Sequence, residues 1–403
     1  MRRRPAAVPR SSPLAAPFRG ALALLLAVAV LAGGGCALRD GGVGRLAAVA
    51  TLFAPGDVAA NFSRMDKMFE SVSMPVPDRA PLPRAAAPAA MPKGFDAWAR
   101  ARNLTSIVVL SQGELVYENY YLGTGPKDLR ISWSLAKSIL ATLVGTAVEK
   151  GEIASLDDPA TAYAPELVGS AWDGVTIRDL LHMASGVAFD ENYGNYWSDV
   201  NRMSRAMVLG GSLDALAAGL DKRLGPPGRT YRYSSMDTHV LGMVLRGATG
   251  KRIPSLMRTR IFAPLGLERD PYYLLDGAGE AFVAGGLGLT TRDYARFGEM
   301  VREGGRAGGR QVIPAAWVAE MTRPSAPKGP TGGPGGGFGY HWWIPKNPRA
   351  GEIFSRGLYG QRMWIDNARG VVIVVTAADR NEGAPGVARM SEKMFRAIVK
   401  AVS

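Results

Sequence analysis

The sequence predicts an α+β fold: an antiparallel sheet built from both chain ends, flanked by helices, with a largely helical inserted subdomain. Three observations carry this. Near the start of the ordered pattern, two β-rich runs at 106–110 and 115–121 flank Ser111-Gln112-Gly113-Glu114, a hairpin signature. Near the other end, two more runs at 362–366 and 371–377 flank Asn367-Ala368-Arg369-Gly370. Between them, helical stretches and loops dominate from 152 to 280. A doubly wound parallel sheet would instead alternate strand and helix throughout.

The clearest helix is predicted at 134–150. Leu135, Ile139, Leu143 and Ala147 recur at helical spacing beside Leu140, Val144 and Val148, and Gly151 follows as a stop. A final amphipathic helix is predicted at 390–402. No internal repeat is visible.

Residues 1–36 read as an export signal. Arg2, Arg3, Arg4, Arg10 and Arg19 lead into an apolar run at 21–32, too short to span a bilayer but suited to a signal core. A mitochondrial presequence is the alternative, although it would not carry so unbroken an apolar run. Cys36, the one cysteine, follows Gly33-Gly34-Gly35 and is similar to a lipoprotein processing site. Lipidation there would attach the chain to a membrane; a plain cleaved signal with an incidental cysteine is the other reading. The expected location is outside the cytoplasm, in the periplasm or on a bacterial envelope membrane. Residues 37–94 are rich in Ala, Pro and Arg and read as a linker or wrapping arm, leaving 95–403 as the folded domain.

The net charge is +13, and five of those charges are the arginines of the first 36 residues. No long basic run stands out, so a nucleic-acid partner is not expected. With one cysteine and three histidines, no metal-ligand cluster is visible, and no cofactor is expected.

Hydrolysis of an acyl bond needs a nucleophile and a base. His182, His239 and His341 are read as structural residues, and no G-x-S-x-G elbow occurs. Ser134-Leu135-Ala136-Lys137 is an S-x-x-K motif on the predicted helix, where positions three apart share a face. Ser134 would sit at the helix start, where free N–H groups favour developing negative charge. Lys137 must be neutral to act as a base, and a free lysine is neutral in only roughly one copy in 2,500 at pH 7. Burial or nearby positive charge must therefore lower its pKa. A second S-x-x-K, Ser325-Ala326-Pro327-Lys328, is broken by Pro327 and followed by a glycine-rich run, so its Ser and Lys would not share a helix face. Tyr233-Ser234-Ser235 supplies a second proton carrier in Tyr233. Gly357-Leu358-Tyr359-Gly360-Gln361 enters a strand whose edge N–H could stabilise an oxyanion, and its glycines would let a substrate lie close to the backbone.

In this order and spacing the three elements resemble the serine β-lactamase and penicillin-binding-protein superfamily over about residues 95–400. Leu180-Leu181-His182-Met183-Ala184-Ser185-Gly186, Pro264-Leu265-Gly266-Leu267, Ala284-Gly285-Gly286-Leu287, Asp293-Tyr294-Ala295-Arg296-Phe297 and Gly339-Tyr340-His341-Trp342-Trp343 resemble further family segments. The branch that matches best is that of 6-aminohexanoate-dimer hydrolases and related esterases. The resemblance implies attack by Ser134, proton transfer by Lys137 and Tyr233, and an oxyanion hole from the Ser134 and Leu358 N–H groups. It also implies substrate contacts at Ser235, Gly357 and Tyr359. Ser355-Arg356-Gly357 stands where lactamases usually carry Lys-Thr-Gly, and Ser235 stands where they commonly carry Asn. Both departures favour a hydrolase of small amides or esters over a lactamase or cell-wall peptidase; a non-catalytic envelope protein on the same fold is the remaining alternative.

Overall fold

The structure is a computed structural model that describes residue 49, residues 51–330 and residues 336–403. Residues 1–36, read above as an export signal with Cys36 at its end, lie outside the described residues.

A seven-stranded antiparallel sheet forms the centre. Its strands are β1 (Leu104–Ser111), β2 (Glu114–Tyr120), β3 (Gly337–Phe338), β4 (Trp343–Ile344), β5 (Glu352–Gly357), β6 (Gln361–Asp366) and β7 (Val371–Ala377), in the spatial order β2-β1-β7-β6-β5-β4-β3. Both chain ends build it, as the sequence predicts. The central strands β1 and β7 are buried along their whole length because both sheet faces are covered, and alternate residues enter different cores. Val108, Leu110, Met363, Ile365, Val372 and Val374 join the large core on one face. Ile107, Val109, Trp364, Ile373 and Val375 join the smaller one on the other.

Five helices position the site: α1 (Phe95–Ala101), α2 (Leu135–Glu149), α3 (Ser235–Thr249), α4 (Thr291–Arg302) and α5 (Val387–Val402). Phe95 and Trp98 of α1, with Phe395, Ile398 and Val399 of α5, seal the smaller core. Helices α2 and α4 lie on the other face. Between them runs the insertion, four of whose helices start at hydrogen-bonding caps: Thr176 in a capping box with Asp179, then Ser198, Ser212 and Ser234.

Helix α2 is buried on every side from Leu135 to Ala147, because the insertion covers the side the sheet leaves open. Trp317 crosses it at Gly145, its indole N–H donating to Ala141 O at 3.0 Å. A Cβ on Gly145 would lie 2.3 Å from the Trp317 ring. Gly145→Ala should therefore overpack this crossing and destabilise the protein by about 1–3 kcal/mol despite alanine's better helix propensity. Denaturant unfolding checks this; a stabilised variant would show that the crossing relaxes freely.

Residues 51–94 form an arm packed on the domain. Leu52, Val58, Phe62, Met65, Met74, Val76 and Leu82 are buried in the large core. The arm strand Ser71–Ser73 pairs antiparallel with Tyr272–Leu274, which continues through Leu287–Leu289 to Arg130–Ile131 in a second, four-stranded sheet. Phe62 O accepts the Ile131 N–H at 3.1 Å, three residues before Ser134. The arm thus braces the strand that leads into α2.

Candidate active site

Ser134 occupies the N-cap of α2 but makes no capping hydrogen bond, so its hydroxyl is free to turn elsewhere. The residue before it, Trp133, has φ +45°, a left-handed conformation unusual for a non-glycine residue. Lys137 Nζ donates to Ser134 Oγ at 2.9 Å and to Ala284 O at 2.8 Å. Lys137 is 2 % exposed, and no carboxylate among the described residues pairs with it. Burial drives its pKa down to about 8, against a weaker opposing attraction from Glu191. At neutral pH roughly one copy in ten is then neutral, against roughly one in 2,500 for a free lysine.

Tyr233 comes from the segment before α3. Its ring centroid lies 5.3 Å from Lys137 Nζ and it stacks on Trp343 at 6.0 Å. Burial raises its pKa well above the usual value, Glu191 adds to this, and a hydrogen bond with Ser134 partly opposes it. The phenol is therefore neutral, able to donate a proton or relay one.

Ser235 lies differently from expectation. It is buried in the first turn of α3, its hydroxyl donates to Glu191 Oε1 at 2.6 Å, and its N–H donates to Glu191 Oε2 at 2.8 Å. Its polar groups are committed inward rather than offered to a substrate. Glu191, which sequence reasoning missed, also accepts the Tyr193 hydroxyl at 2.7 Å. Only its place just after the Ser185-Gly186 segment could have signalled it.

The third element meets the first. A Cβ on Gly357 would fall 2.3 Å from Ser132 O and 3.1 Å from Trp133 Cβ. That glycine is required by contact with the chain leading into Ser134. Tyr359, two residues on, packs its ring 6.0 Å from Trp133 and stacks on Phe53 of the arm at 5.5 Å. Among the described residues, neither the Ser134 N–H nor the Leu358 N–H has an intramolecular acceptor. Vacant amide donors are what a developing oxyanion requires.

Ser355 is 1 % exposed and its hydroxyl hydrogen-bonds Ser138 at 2.7 Å, on the α2 side of the sheet. Arg356, next along the strand, is exposed, with its guanidinium 5.2 Å over the Trp343 ring. The remaining motifs are structural. His341 sits between Lys137 O at 3.3 Å and Leu180 O at 3.2 Å, and burial pushes its pKa down to about 4. His239 pairs with Asp214 at 2.8 Å. Asp293 closes the cap of α4 with Thr290 at 2.7 Å. Ser325 hydrogen-bonds His182 at 2.9 Å. Among the described residues no group of three or more His, Cys, Asp or Glu could hold a metal ion, and no helix is long and apolar enough to cross a membrane.

An antiparallel sheet with a helical insertion, carrying a serine and a buried lysine on one helix, defines the β-lactamase and transpeptidase fold. The chain belongs to the beta-lactamase family, whose family model matches residues 96–391, and it is a serine hydrolase. It is 30% identical over 290 residues to the 6-aminohexanoate-dimer hydrolase of Paenarthrobacter ureafaciens, covering 67% of this chain and 71% of that protein. It is 26% identical over 371 residues to Esterase EstB of Burkholderia gladioli, covering 72% of this chain and 90% of that protein. A solved Bacillus anthracis structure, named as a candidate 6-aminohexanoate-dimer hydrolase, has the same fold: its TM-score is 0.76 at 21% identity, over 86% of this chain and 95% of that one.

Proposed function

We propose that the protein hydrolyses small linear amides or esters through an acyl-enzyme on Ser134. The observation that carries this is the 2.9 Å hydrogen bond between Ser134 Oγ and a buried Lys137 whose pKa lies near 8. Neutral Lys137 takes the Ser134 proton as the hydroxyl attacks the carbonyl. The Ser134 and Leu358 N–H groups receive the oxyanion. Tyr233 passes a proton to the leaving group and takes one back from Lys137; water then attacks the acyl-enzyme, its proton returns to Ser134 Oγ, and the acid is released. Likeness to a 6-aminohexanoate-dimer hydrolase and to an esterase supports the substrate class. So does the loss of the strand lysine, since Ser355 directs its hydroxyl to Ser138.

The test is a comparison of kcat/KM for short-chain p-nitrophenyl esters, 6-aminohexanoate oligomers and penicillins. Esters or linear amides should be turned over fastest. A penicillin value above that of every ester and amide would reverse the assignment. The sequence of residues 1–36 supports a further proposal, export of the chain with lipid attachment at Cys36. N-terminal mapping of the natively produced protein should find about the first 35 residues removed, and an N-terminus that retains Arg2–Arg4 would overturn it.

A further inference from the structure

The turn that carries Leu358 is held by groups outside the three motifs. Tyr359 has φ +60° and Gly360 φ +90°. The first of these is costly for a residue with a side chain, so surrounding contacts must impose it. One residue supplies the main grip. Glu382 Oε1 accepts the Tyr359 N–H at 2.9 Å, and its Oε2 accepts the Gly360 N–H at 3.0 Å. Nearby, the Asp379 N–H donates to Tyr359 O at 3.0 Å, and the Asp379 carboxylate is ion-paired with Arg102 at 2.9 Å. Gln361 Nε2 holds Leu358 O at 2.9 Å. Phe53 packs on the Tyr359 ring, with an interplanar angle of 12°. Of three successive N–H groups, the second and third are saturated by one carboxylate and the first is left vacant.

We propose that Glu382 is a positioning residue: by gripping the Tyr359 and Gly360 N–H groups it fixes the turn so that the Leu358 N–H points at the oxygen of the attacked carbonyl. This rests on Ser134 being the nucleophile. Glu382 touches no reacting atom; it acts through the backbone. Without it, two unsatisfied N–H groups and a strained Tyr359 would let the turn relax, and the Leu358 donor would lose its aim.

The experiment compares Glu382→Ala and Glu382→Gln with wild type. Active sites are counted by fluorophosphonate titration, p-nitrophenyl butyrate gives kcat and KM per titrated site, and phenylboronic acid serves as a tetrahedral mimic. Glu382→Ala should lower kcat per site about 10- to 100-fold, less than the roughly 10²- to 10³-fold lost when an oxyanion donor is deleted. KM should change by less than about twofold, because the interaction is made in the transition state. The boronate inhibition constant should rise in step with the fall in kcat. Glu382→Gln keeps one acceptor oxygen and should recover part of the loss. If Glu382→Ala does not fold, Glu382→Gln carries the test, with an expected loss of about 3- to 10-fold in kcat per site. A wild-type kcat per site in the variant that folds, or an unchanged boronate affinity, would overturn the proposal. An adduct on a serine other than Ser134 in the wild-type protein would instead strike the nucleophile assignment, so the two failures are distinguishable.

Discussion

Ser134→Ala is expected to abolish turnover, by roughly 10⁴-fold or more, because it removes the atom that attacks and leaves the lysine nothing to activate. The protein should still fold, since the Ser134 side chain caps no N–H group of α2 and its loss leaves the buried face of the helix intact. The rival nucleophile is Ser325, which hydrogen-bonds a histidine at 2.9 Å, the same distance as Ser134 to Lys137. Distance alone therefore does not choose between them. The surroundings do. Ser134 lies at a helix start, bonded to a buried lysine, while Ser325 lies in a loop. Burial pushes the His182 imidazole down to about 4, with the positive charge of Arg178 adding to the effect, so it is a poor base for an alcohol. Ser138, one turn along α2, is buried and bonded to His341 O and Ser355. Intact-mass analysis after fluorophosphonate labelling, followed by peptide mapping, should place a single adduct on Ser134. Ser325→Ala should keep its activity. Label on Ser325, or turnover surviving in Ser134→Ala, would end the mechanism.

What was legible in the sequence was what is local. The hairpin at 106–121 and the strand pair at 362–377 are short-range events with turn residues between apolar runs, and both are in the sheet. Helix α2 declared itself by periodicity. The arm did not. Its alanines and prolines read equally as a linker, because its elements are too short to show a sustained period: two four-residue helices, Val58–Asn61 and Met65–Met68, and one three-residue strand. Its strand Ser71–Ser73 is three residues long and pairs with Tyr272–Leu274, some two hundred positions away. No local pattern encodes such a pairing.

The same divide runs through the site. Ser134 and Lys137 are three residues apart on one helix, so their contact was written in the spacing. The groups that tune them come from elsewhere: Ala284 O binds the lysine, Glu191 occupies Ser235, and Glu382 grips the turn after Leu358. The family resemblance places Ser235 against the substrate, because it stands where lactamases commonly carry Asn. Yet Ser234 is the N-cap that opens α3, and the helix then carries Ser235 toward Glu191. Gly357 shows the same limit: a glycine's neighbour in space, here Ser132 O, is invisible in its neighbours in sequence.

Burial pushes the Lys137 pKa down to about 8, and on the proposed mechanism that value sets the expected pH dependence. The base must be neutral, so the active fraction grows as pH rises through the lysine's pKa. Log kcat/KM for a neutral ester should climb with a slope of about one below pH 8 and level off above it. Tyr233 introduces no falling limb in this range, because burial holds its pKa above the ordinary tyrosine value. A histidine base would behave differently: His182 and His341 both lie near 4, and either would give a profile already flat at pH 6. A limb centred near 4 would thus remove Lys137 from the base role. Lys137→Ala should lower the acylation rate roughly 10²- to 10⁴-fold and erase the limb near 8 altogether. It also deletes a buried cation and vacates Ala284 O, so its fold must be verified by circular dichroism before the rate is read. Tyr233→Phe separates the two proton carriers. It keeps the ring against Trp343 and removes only the hydroxyl. It should hurt a linear amide, whose amine must be protonated to depart, more than a p-nitrophenyl ester, whose leaving group departs unaided. Equal losses on the two substrates would mean that Tyr233 acts before the leaving group breaks away, in the same step as Lys137.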